Sequence, residues 1–153
     1  MENNPNVTAK PSFKTDRSMP MYFLLSFITC GIYGIYFMTK FTDDLNTIAT
    51  KRDGLKTMHY CLMIFILSGL TLGIYPLVWY HKMSQRVGDE ARARGIQTEF
   101  GASTFWLWNV LGACIIVGPF IYVNKLCQTM NEICINYNTN GYYTACQKAA
   151  RIL

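Results

Sequence analysis

Two eight-residue stretches decide the fold of this chain: residues 29–36 read TCGIYGIY and residues 71–78 read TLGIYPLV. Both begin with the pattern Thr-x-Gly-Ile-Tyr. The match continues without a gap to an aromatic residue and then to a lysine, Lys40 in the first stretch and Lys82 in the second. A shared spacing over this length indicates an internal repeat, and a repeat determines architecture.

A weaker third copy follows, and its offset from the second copy is one residue longer than the offset of the second copy from the first. It agrees with the second copy at a proline, an aromatic position and the lysine, and these residues are Pro119, Tyr122 and Lys125. Cys114 and Ile116 replace the threonine and the glycine of the pattern. The candidate site residues are those that define the repeat, namely Thr29, Gly31, Tyr33, Gly34, Lys40, Thr71, Gly73, Tyr75, Pro76, Trp79, Lys82, Pro119, Tyr122 and Lys125.

The distribution of charge predicts an integral membrane protein. Hydrophobic residues make up 51% of the 153 residues and charged residues only 15%, against about 25% charged residues in soluble domains. Residues 18–39, 60–80 and 100–124 contain neither a charged residue nor a histidine. Each of these stretches reaches the roughly 20 apolar residues that a helix needs to cross a bilayer. The net charge of +5 favours attraction to an anionic cytoplasmic leaflet.

Glycine and proline interrupt each uncharged stretch near its middle. Gly31 and Gly73 suit the C-terminus of a helix, and Pro76 and Pro119 favour a new helix that begins at those positions. The chain is therefore predicted to be all-α and to contain three repeated helix-break-helix units. The segment before each break has about 11 residues, roughly 16 Å as a helix, which is about half of a 30 Å hydrocarbon core.

Each unit can either turn back within the membrane or cross it as a kinked transmembrane helix. Three straight crossings would place seven basic residues on each side, and an equal split provides no orientation under the positive-inside rule. Re-entrant hairpins, which keep every basic flank in the cytoplasm, are therefore favoured for the first two units, while the third can still span. Because a turn in hydrocarbon needs a bonded backbone, we expect Thr29 and Thr71 to bond nearby carbonyls.

An amphipathic helix is predicted after each break. Its apolar residues recur at spacings of three or four, which places them on one helix face. They are Phe41, Leu45 and Ile48 in the first unit, Met83, Val87 and Ala91 in the second, and Leu126, Met130 and Ile133 in the third. Such faces suit helices that lie at the membrane interface.

The membrane domain is predicted to cover residues 17–137. Its three units lie at about 17–50, 57–95 and 100–137. The polar, proline-containing residues 1–16 are predicted to form a flexible N-terminal tail. Residues 138–153 are predicted to form a C-terminal tail or a short helix.

No constellation of residues in the sequence points to catalysis. Asp43 and Asp44 are adjacent, so they point to different helix faces and make a poor acid–base pair. His59 and His81 lack further ligands at helical spacing, as a metal site would need. We therefore expect no enzyme activity, no cofactor and no metal. A clustered basic face with base-reading groups is also lacking, so no nucleic-acid partner is expected.

Polar and sulfur-containing residues within the uncharged stretches have structural interpretations. The side-chain amide of Asn109 lies well inside such a stretch. A polar group there often makes an interhelical contact, and the alternative is that Asn109 lines a transport path. The six cysteines include no Cys-x-x-Cys pair, and we interpret them as reduced packing residues. Cys127 and Cys134 are separated by about two helical turns and can share a helix face.

The repeated pattern resembles a family of small bacterial membrane proteins known as domain of unknown function 4234. The resemblance is carried by residues 29–40 with the following Asp-Asp-Leu-Asn at residues 43–46, and by residues 71–82. It covers roughly residues 17–137, and Phe37 stands where the family pattern usually has tryptophan. The resemblance implies a bacterial membrane protein without an assigned activity, and it transfers no catalytic residue.

Together these features predict a non-enzymatic membrane module that acts as a scaffold, a membrane wedge or an accessory subunit. A small transport or channel subunit is the alternative. The expected partners are the lipid bilayer and either further copies of the chain, as a homo-oligomer, or a larger membrane protein. The expected location is the bacterial cytoplasmic (inner) membrane, with both termini in the cytoplasm.

Overall fold

The computed structural model describes the backbone of residues 12–150 and the side chains of residues 12–140. Over this range the fold is all-α, as predicted, and contains no strand. The helices are α1 (Met19–Ile28), α2 (Ile32–Asp53), α3 (residues 60–70), α4 (Ile74–Ala93), α5 (residues 102–115) and α6 (Gly118–Ala150). The stretches Met63–Leu67 of α3 and Phe105–Leu111 of α5 are π-helical. No helix in the described range is both long enough and apolar enough to cross a membrane.

The helices form three hairpins, each with a short helix followed by a long one. We call the short helices α1, α3 and α5 the apolar arms. In the first hairpin the rings of Tyr22 and Phe37 lie 5.0 Å apart, and a Cβ added to Gly34 would lie 3.1 Å from Ser26 Oγ. Tyr22 and Phe37 are both further from the turn in sequence than Ser26 and Gly34. The arm therefore runs antiparallel to the start of α2.

The side chain of Thr29 holds the first reversal. Its hydroxyl donates to the carbonyl oxygen of Leu25 at 2.7 Å and accepts the backbone N–H of Tyr33 at 2.9 Å. Between them, Cys30 and Gly31 have φ angles of 51° and 91°, in the left-handed region that glycine adopts without strain. The predicted bond from Thr29 to a nearby carbonyl is confirmed.

The second reversal has the same construction. The hydroxyl of Thr71 donates to the carbonyl oxygen of Leu67 at 2.6 Å and accepts the backbone N–H of Tyr75 at 3.0 Å, which confirms the second predicted threonine bond. Leu72 and Gly73 have φ angles of 51° and 86°. The two stretches with the pattern Thr-x-Gly-Ile-Tyr therefore adopt one geometry.

The third hairpin reverses without that pattern. The rings of Phe105 in α5 and Tyr122 in α6 lie 5.7 Å apart. Gly118 approaches α5 so closely that an added Cβ would lie 2.1 Å from the carbonyl oxygen of Trp108. Ile116 takes the left-handed conformation, with a φ of 65°. The third unit, for which the sequence left a crossing open, thus turns back like the other two.

The two prolines lie in the first turns of their helices, slightly later than predicted. α4 begins at Ile74 and α6 at Gly118, so Pro76 is the third helical residue and Pro119 the second. The N–H groups of the first turn have no partner within the helix. Proline therefore costs these helices no hydrogen bond at either position.

The three long helices, α2, α4 and α6, pack parallel to one another. Their paired residues advance in the same direction along both helices. The pairs are Asn46 with Arg86 at 2.6 Å and Arg52 with Glu90 at 2.6 Å between α2 and α4, and Ser84 with Tyr122 at 2.8 Å and Arg94 with Asn136 at 3.3 Å between α4 and α6. Consecutive helices can be parallel only because the residues between them, which include an apolar arm, return the chain each time.

The nine apolar residues that the sequence places on the faces of these helices form the core. Each is 1% exposed or less, with Leu45, Val87 and Met130 completely buried. The faces therefore pack against one another. A shared protein core thus covers the faces that the sequence assigned to contact with the membrane interface, and the location of these helices relative to a membrane stays a prediction.

The apolar arms lie together at one end of the bundle. Each arm contacts the beginning of a long helix from another hairpin. The contacts are Phe23 with Phe120, whose rings lie 4.2 Å apart, Cys61 with Thr39 at 3.3 Å, and Trp106 with His81 at 3.0 Å. The beginnings of α2, α4 and α6 and all three turns thus share one end of the molecule.

Asparagines hold the extended segments that precede the hairpins, which we call the lead-in segments (residues 12–18, 54–59 and 94–101). Asn46 of α2 donates to the carbonyl oxygen of Thr57 at 2.8 Å and accepts its N–H at 2.7 Å. Asn131 of α6 makes the same pair of bonds to Arg17, at 2.8 and 3.1 Å. A long helix thus holds the lead-in segment of another hairpin.

In α4 a glycine, Gly88, takes the place of the asparagine and holds a lead-in segment by close packing. The offset between the first two copies of the repeat places Gly88 at the position of Asn46. A Cβ on Gly88 would lie 2.1 Å from the carbonyl oxygen of Phe100, in the third lead-in segment. The three long helices therefore hold the three lead-in segments in a closed cycle, with α6 returning to the first.

Part of the predicted flexible N-terminal tail is bound to α6. Asn138 accepts the N–H of Phe13 at 2.9 Å and donates to its carbonyl oxygen at 2.8 Å, and the Phe13 ring packs edge-on against Tyr137. Residues 1–11 of that tail lie outside the described residues. α6 passes through residue 138, where the sequence predicted a boundary, and continues to Ala150; residues 151–153 lie outside the described residues.

Replacing Gly88 with alanine tests this packing. The new methyl group would collide with backbone, which cannot move aside as a flexible side chain would, so we expect Gly88→Ala to lower the free energy of unfolding by about 2 kcal/mol. Thermal or urea unfolding in a neutral detergent measures the loss. The matched control is Gly69→Ala, because Gly69 lies in α3 with open space at its Cβ position. Equal stability of the two variants would contradict the close contact.

Candidate functional site: two lysine-lined grooves beside the apolar arms

The surface of the arms and turns is apolar and exposed. At the tips, Phe27, Leu72 and Ile116 are 86%, 94% and 76% exposed. Further exposed apolar residues on the arms and the first turns of the long helices are Met21, Leu24, Ile28, Ile32, Leu62, Phe65, Ile66, Leu70, Ile74, Leu107, Leu111, Ile115 and Val117. An apolar surface of this extent on one end of a protein marks an interaction site.

A groove of about 600 Å³ lies at the base of the second hairpin. One wall is the second lead-in segment and the other is the start of α4. Its lining includes Leu55, Lys56, Thr57 and Met58 from the first wall and Tyr75, Val78, Trp79, Lys82 and Gln85 from the second. The groove is therefore apolar towards the arm and basic towards the bundle.

Trp79 joins the two walls of this groove. Its Nε1 donates to the carbonyl oxygen of Met58 at 3.0 Å, and its ring packs against Tyr60 of the arm at 5.5 Å between centroids. The Tyr75 hydroxyl also reaches Met58, with its oxygen 3.7 Å from the sulfur. The repeated aromatic position thus has a structural role that fixes the groove.

Arg86 forms the floor of the groove and is almost completely buried. Its guanidinium donates to both carboxylate oxygens of Asp53, at 2.7 and 3.1 Å. It also bonds the side chains of Asn46, Thr57 and Thr50, at 2.6, 2.8 and 3.1 Å, and the Leu55 carbonyl oxygen. One side chain therefore ties α2, α4 and the second lead-in segment together.

The Asp53 carboxyl is held in its charged form. Burial raises its pKa, but the hydrogen bonds from Arg86 and the Leu55 N–H, together with the charges of Arg86 and Arg52, outweigh burial and lower the pKa below its usual value. At neutral pH the Asp53 carboxyl is therefore ionised and is not a proton donor. The negative charge is already balanced within the protein.

A second buried charge cluster lies further from the arms. Glu90 is 1% exposed and accepts from Arg52 at 2.6 Å and from Arg94 at 2.7 Å. The Arg94 guanidinium lies over the Tyr137 ring, 5.3 Å from its centroid. Because each charge is paired, this cluster holds the helices together and offers no free acid or base.

A smaller groove of about 290 Å³ occupies the same place on the first hairpin. It lies between the first lead-in segment and the start of α2. The residues that line it include Phe13, Lys14, Arg17, Tyr33, Tyr36, Phe37, Lys40 and Asp44. Burial raises the pKa of Asp44, and the nearby charges of Arg17 and Lys40 oppose that rise.

The structure brings together most of the candidate site residues of the first two copies. Tyr33 and Lys40 line the first groove, Tyr75, Trp79 and Lys82 line the second, and the threonines and glycines form the turns. Gly34 packs closely against α1, where an added Cβ would lie 3.1 Å from Ser26 Oγ.

At the third hairpin, the lead-in segment and Arg92 line a pocket of about 660 Å³, and the site residues of the third copy have other contacts. Tyr122 is 2% exposed and shares a hydrogen bond with Ser84, so it belongs to the core. The Lys125 ammonium lies over the Trp108 ring, 6.0 Å from its centroid. Asn109 is half-buried and lines neither lysine groove.

The sequence did not reveal the second wall of each groove. Lys14 precedes Lys56 by the same interval that separates Lys40 from Lys82, so extending the repeat upstream would have found the lead-in lysines. Arg86 gave no such signal, because its role depends on tertiary contacts with two other segments.

Neither a metal site nor a disulfide is present in the described part of the chain. No group of three or more metal-ligating side chains occurs there, and the cysteines described there are free. Cys127 and Cys134 are both buried, and burial raises the pKa of the Cys127 thiol to about 11. Cys134 accepts a hydrogen bond from Arg17 at 3.4 Å.

Removing the Arg86 charge tests the floor of the groove. Arg86→Gln leaves Asp53 buried without its main partner, so we expect a loss of about 3 kcal/mol in the free energy of unfolding at neutral pH. Because folding lowers the Asp53 pKa, this stabilisation is present above the unfolded-state pKa and is lost as pH falls through the folded-state pKa. The gap between wild type and variant, measured by urea unfolding, should narrow below about pH 4.

The control for that experiment is Arg92→Gln. Arg92 pairs with Asp89 at 2.6 Å, but both side chains are more than two-fifths exposed, so its loss should cost less than about 1 kcal/mol. A pH-independent gap for Arg86→Gln would contradict the assigned pairing with Asp53.

Comparison with known proteins gives a family match over the first two hairpins. No curated protein and no solved structure matches the chain. A family model matches residues 17–89, from the end of the first lead-in segment to Asp89 in α4. The match is shorter than the resemblance to residue 137 that the repeat suggested, and it stops before the third hairpin. This part of the chain, which contains the two Thr-x-Gly-Ile-Tyr turns and Lys40 and Lys82, is similar to the family described as domain of unknown function (DUF4234).

Proposed function

We propose that this protein is a non-enzymatic membrane scaffold whose three apolar arms wedge into one leaflet of the bilayer. The exposed apolar surface of the arms carries the proposal. Water would contact this surface unless something covers it, and burial contributes about 25 cal/mol per Å² of apolar area. Further from the arms the long helices carry exposed charged residues, which include Lys51, Arg52 and Glu132, so the two ends differ in polarity as a membrane-inserted protein requires.

The dimensions of the arms match one leaflet. α1 has 10 residues, and α3 spans residues 60–70, so these arms are about 15 Å long. This length is about half of a 30 Å hydrocarbon core. The turns would then lie near the bilayer midplane, where the bonds made by Thr29 and Thr71 satisfy backbone groups that lipid cannot.

The charge distribution supports a topology in which all basic flanks lie on one side of the membrane. Lys40, Lys82 and Lys125 all lie in the first half of their long helices, just beyond the exposed apolar residues. With all three hairpins re-entrant, every basic flank and both termini would lie in the cytoplasm, in agreement with the positive-inside rule. The bacterial cytoplasmic membrane is the proposed location, and further copies of the chain or a larger membrane protein are the proposed partners beside lipid.

Thiol labelling from outside the cell tests this topology. In a cysteine-free variant, single cysteines at Lys40, Lys82 and Lys125 should all resist an impermeant thiol reagent in intact cells and react after the membrane is opened. Labelling at position 82 alone, or at 40 and 125 together, would show straight crossings and reject the re-entrant scaffold.

A charge on an arm tests insertion itself. Ile66 on α3 and Ile135 on α6 are 58% and 52% exposed, but only Ile66 lies on an apolar arm. An arginine within hydrocarbon costs about 3 kcal/mol, so Ile66→Arg should reduce partition into neutral vesicles about 100-fold. Ile135→Arg should leave partition unchanged in the same flotation assay. Equal effects of the two variants would contradict insertion of α3.

A further inference from the structure

We propose that each lysine-lined groove binds one anionic phospholipid, with the phosphate between its two lysines and the acyl chains along the neighbouring arm. This inference rests on the proposed function, because it needs the grooves to lie at the membrane surface. The second groove, between Lys56 and Lys82, is the larger and provides most of the argument.

The second groove has uncompensated positive charge. Lys56 and Lys82 are exposed, and within the described residues neither side chain makes an ion pair or a hydrogen bond. The acids at the groove are already paired, Asp53 with Arg86 and Asp89 with Arg92. A phosphate entering the groove would therefore meet two available ammonium groups without repulsion from a free carboxylate.

The apolar side of the groove favours a lipid over a free phosphate. Val78 and Tyr75 line the groove on the side of the arm. Ile74 and Leu77, on the same turn of α4, are exposed by 66% and 41%. Acyl chains can cover these residues, whereas inorganic phosphate would leave them in contact with water. The groove thus presents the order of polarity that a phospholipid presents, from charged to apolar.

The same arrangement recurs at the first hairpin. Lys14 and Lys40 line the first groove and are separated in sequence by the same interval as Lys56 and Lys82. Tyr33 replaces Tyr75, and a lead-in segment again forms the second wall. The first groove also contains Asp44, which pairs with Arg17, and the exposed Asp16. Its two lysines, tyrosine and lead-in wall match those of the second groove, and this recurrence indicates a shared ligand.

The third hairpin differs in both lysines. At the offset that relates the second and third copies, Glu99 takes the place of Lys56, and Lys125, which takes the place of Lys82, lies over Trp108. A carboxylate and an occupied lysine would not attract a phosphate. The protein should therefore bind two anionic lipids per chain, and not three.

Native mass spectrometry of the full-length protein in a neutral detergent tests the proposal, with phosphatidylglycerol as the probe and phosphatidylcholine as the zwitterionic reference. Wild type should retain up to two phosphatidylglycerol molecules. Lys56→Gln with Lys82→Gln should lose one of them, and affinity at that site should fall about tenfold or more. Lys51→Gln with Lys125→Gln, which removes the same charge outside the grooves, should retain both.

Three results would overturn the proposal. They are unchanged lipid retention in the Lys56 and Lys82 variant, an equal loss in the Lys51 and Lys125 control, and displacement of the lipid by millimolar inorganic phosphate. The last would make the groove a site for free phosphate. Because the assay uses detergent, it measures lipid binding at the groove independently of whether the apolar arms insert into a bilayer. Partition of wild type and of the groove variant into neutral vesicles, expected to be equal, separately tests the proposed scaffold function.

Discussion

Reversal of the chain at the tip of each hairpin is the constraint on which the rest of the structure depends. Three consecutive helices can pack in parallel only if the chain returns after each one, and here the lead-in segment and the apolar arm make that return. The first two reversals need left-handed residues, which include Gly31 and Gly73, and a partner for the backbone, which the threonine hydroxyls supply. Without these turns, α2, α4 and α6 could not bring their apolar faces together.

The molecule uses its two kinds of apolar surface in different ways. The amphipathic stripes of the long helices, which resemble membrane-surface helices in sequence, are buried in a protein core. The short arms, which resemble halves of transmembrane helices, are exposed. Charge follows the same division, since Glu90 and Arg86 are buried and paired within the bundle, while Lys56 and Lys82 lie exposed near the boundary with the arms. The lysine grooves lie where these two surfaces meet.

Local patterns in the sequence predicted the parts of the fold that local interactions determine. The helical class, the breaks at Gly31 and Gly73 and the threonine bonds follow from residue chemistry within a single helical turn, and the structure agrees. The partner of each amphipathic face did not follow, because hydrophobic spacing identifies a buried side without saying whether protein or lipid buries it. The lead-in walls of the grooves and the central place of Arg86 depend on contacts between segments that are remote in sequence, which no local pattern encodes.

The attachment of the first lead-in segment to α6 has a consequence for biosynthesis. Asn131 and Asn138 bond Arg17 and Phe13 across 114 and 125 residues of sequence. A ribosome makes Arg17 114 residues before it makes Asn131, so the first lead-in segment stays incompletely docked until α6 has emerged. Closure of the cycle therefore waits for α6, and a chain that stops before α6 would leave its first hairpin without these four hydrogen bonds.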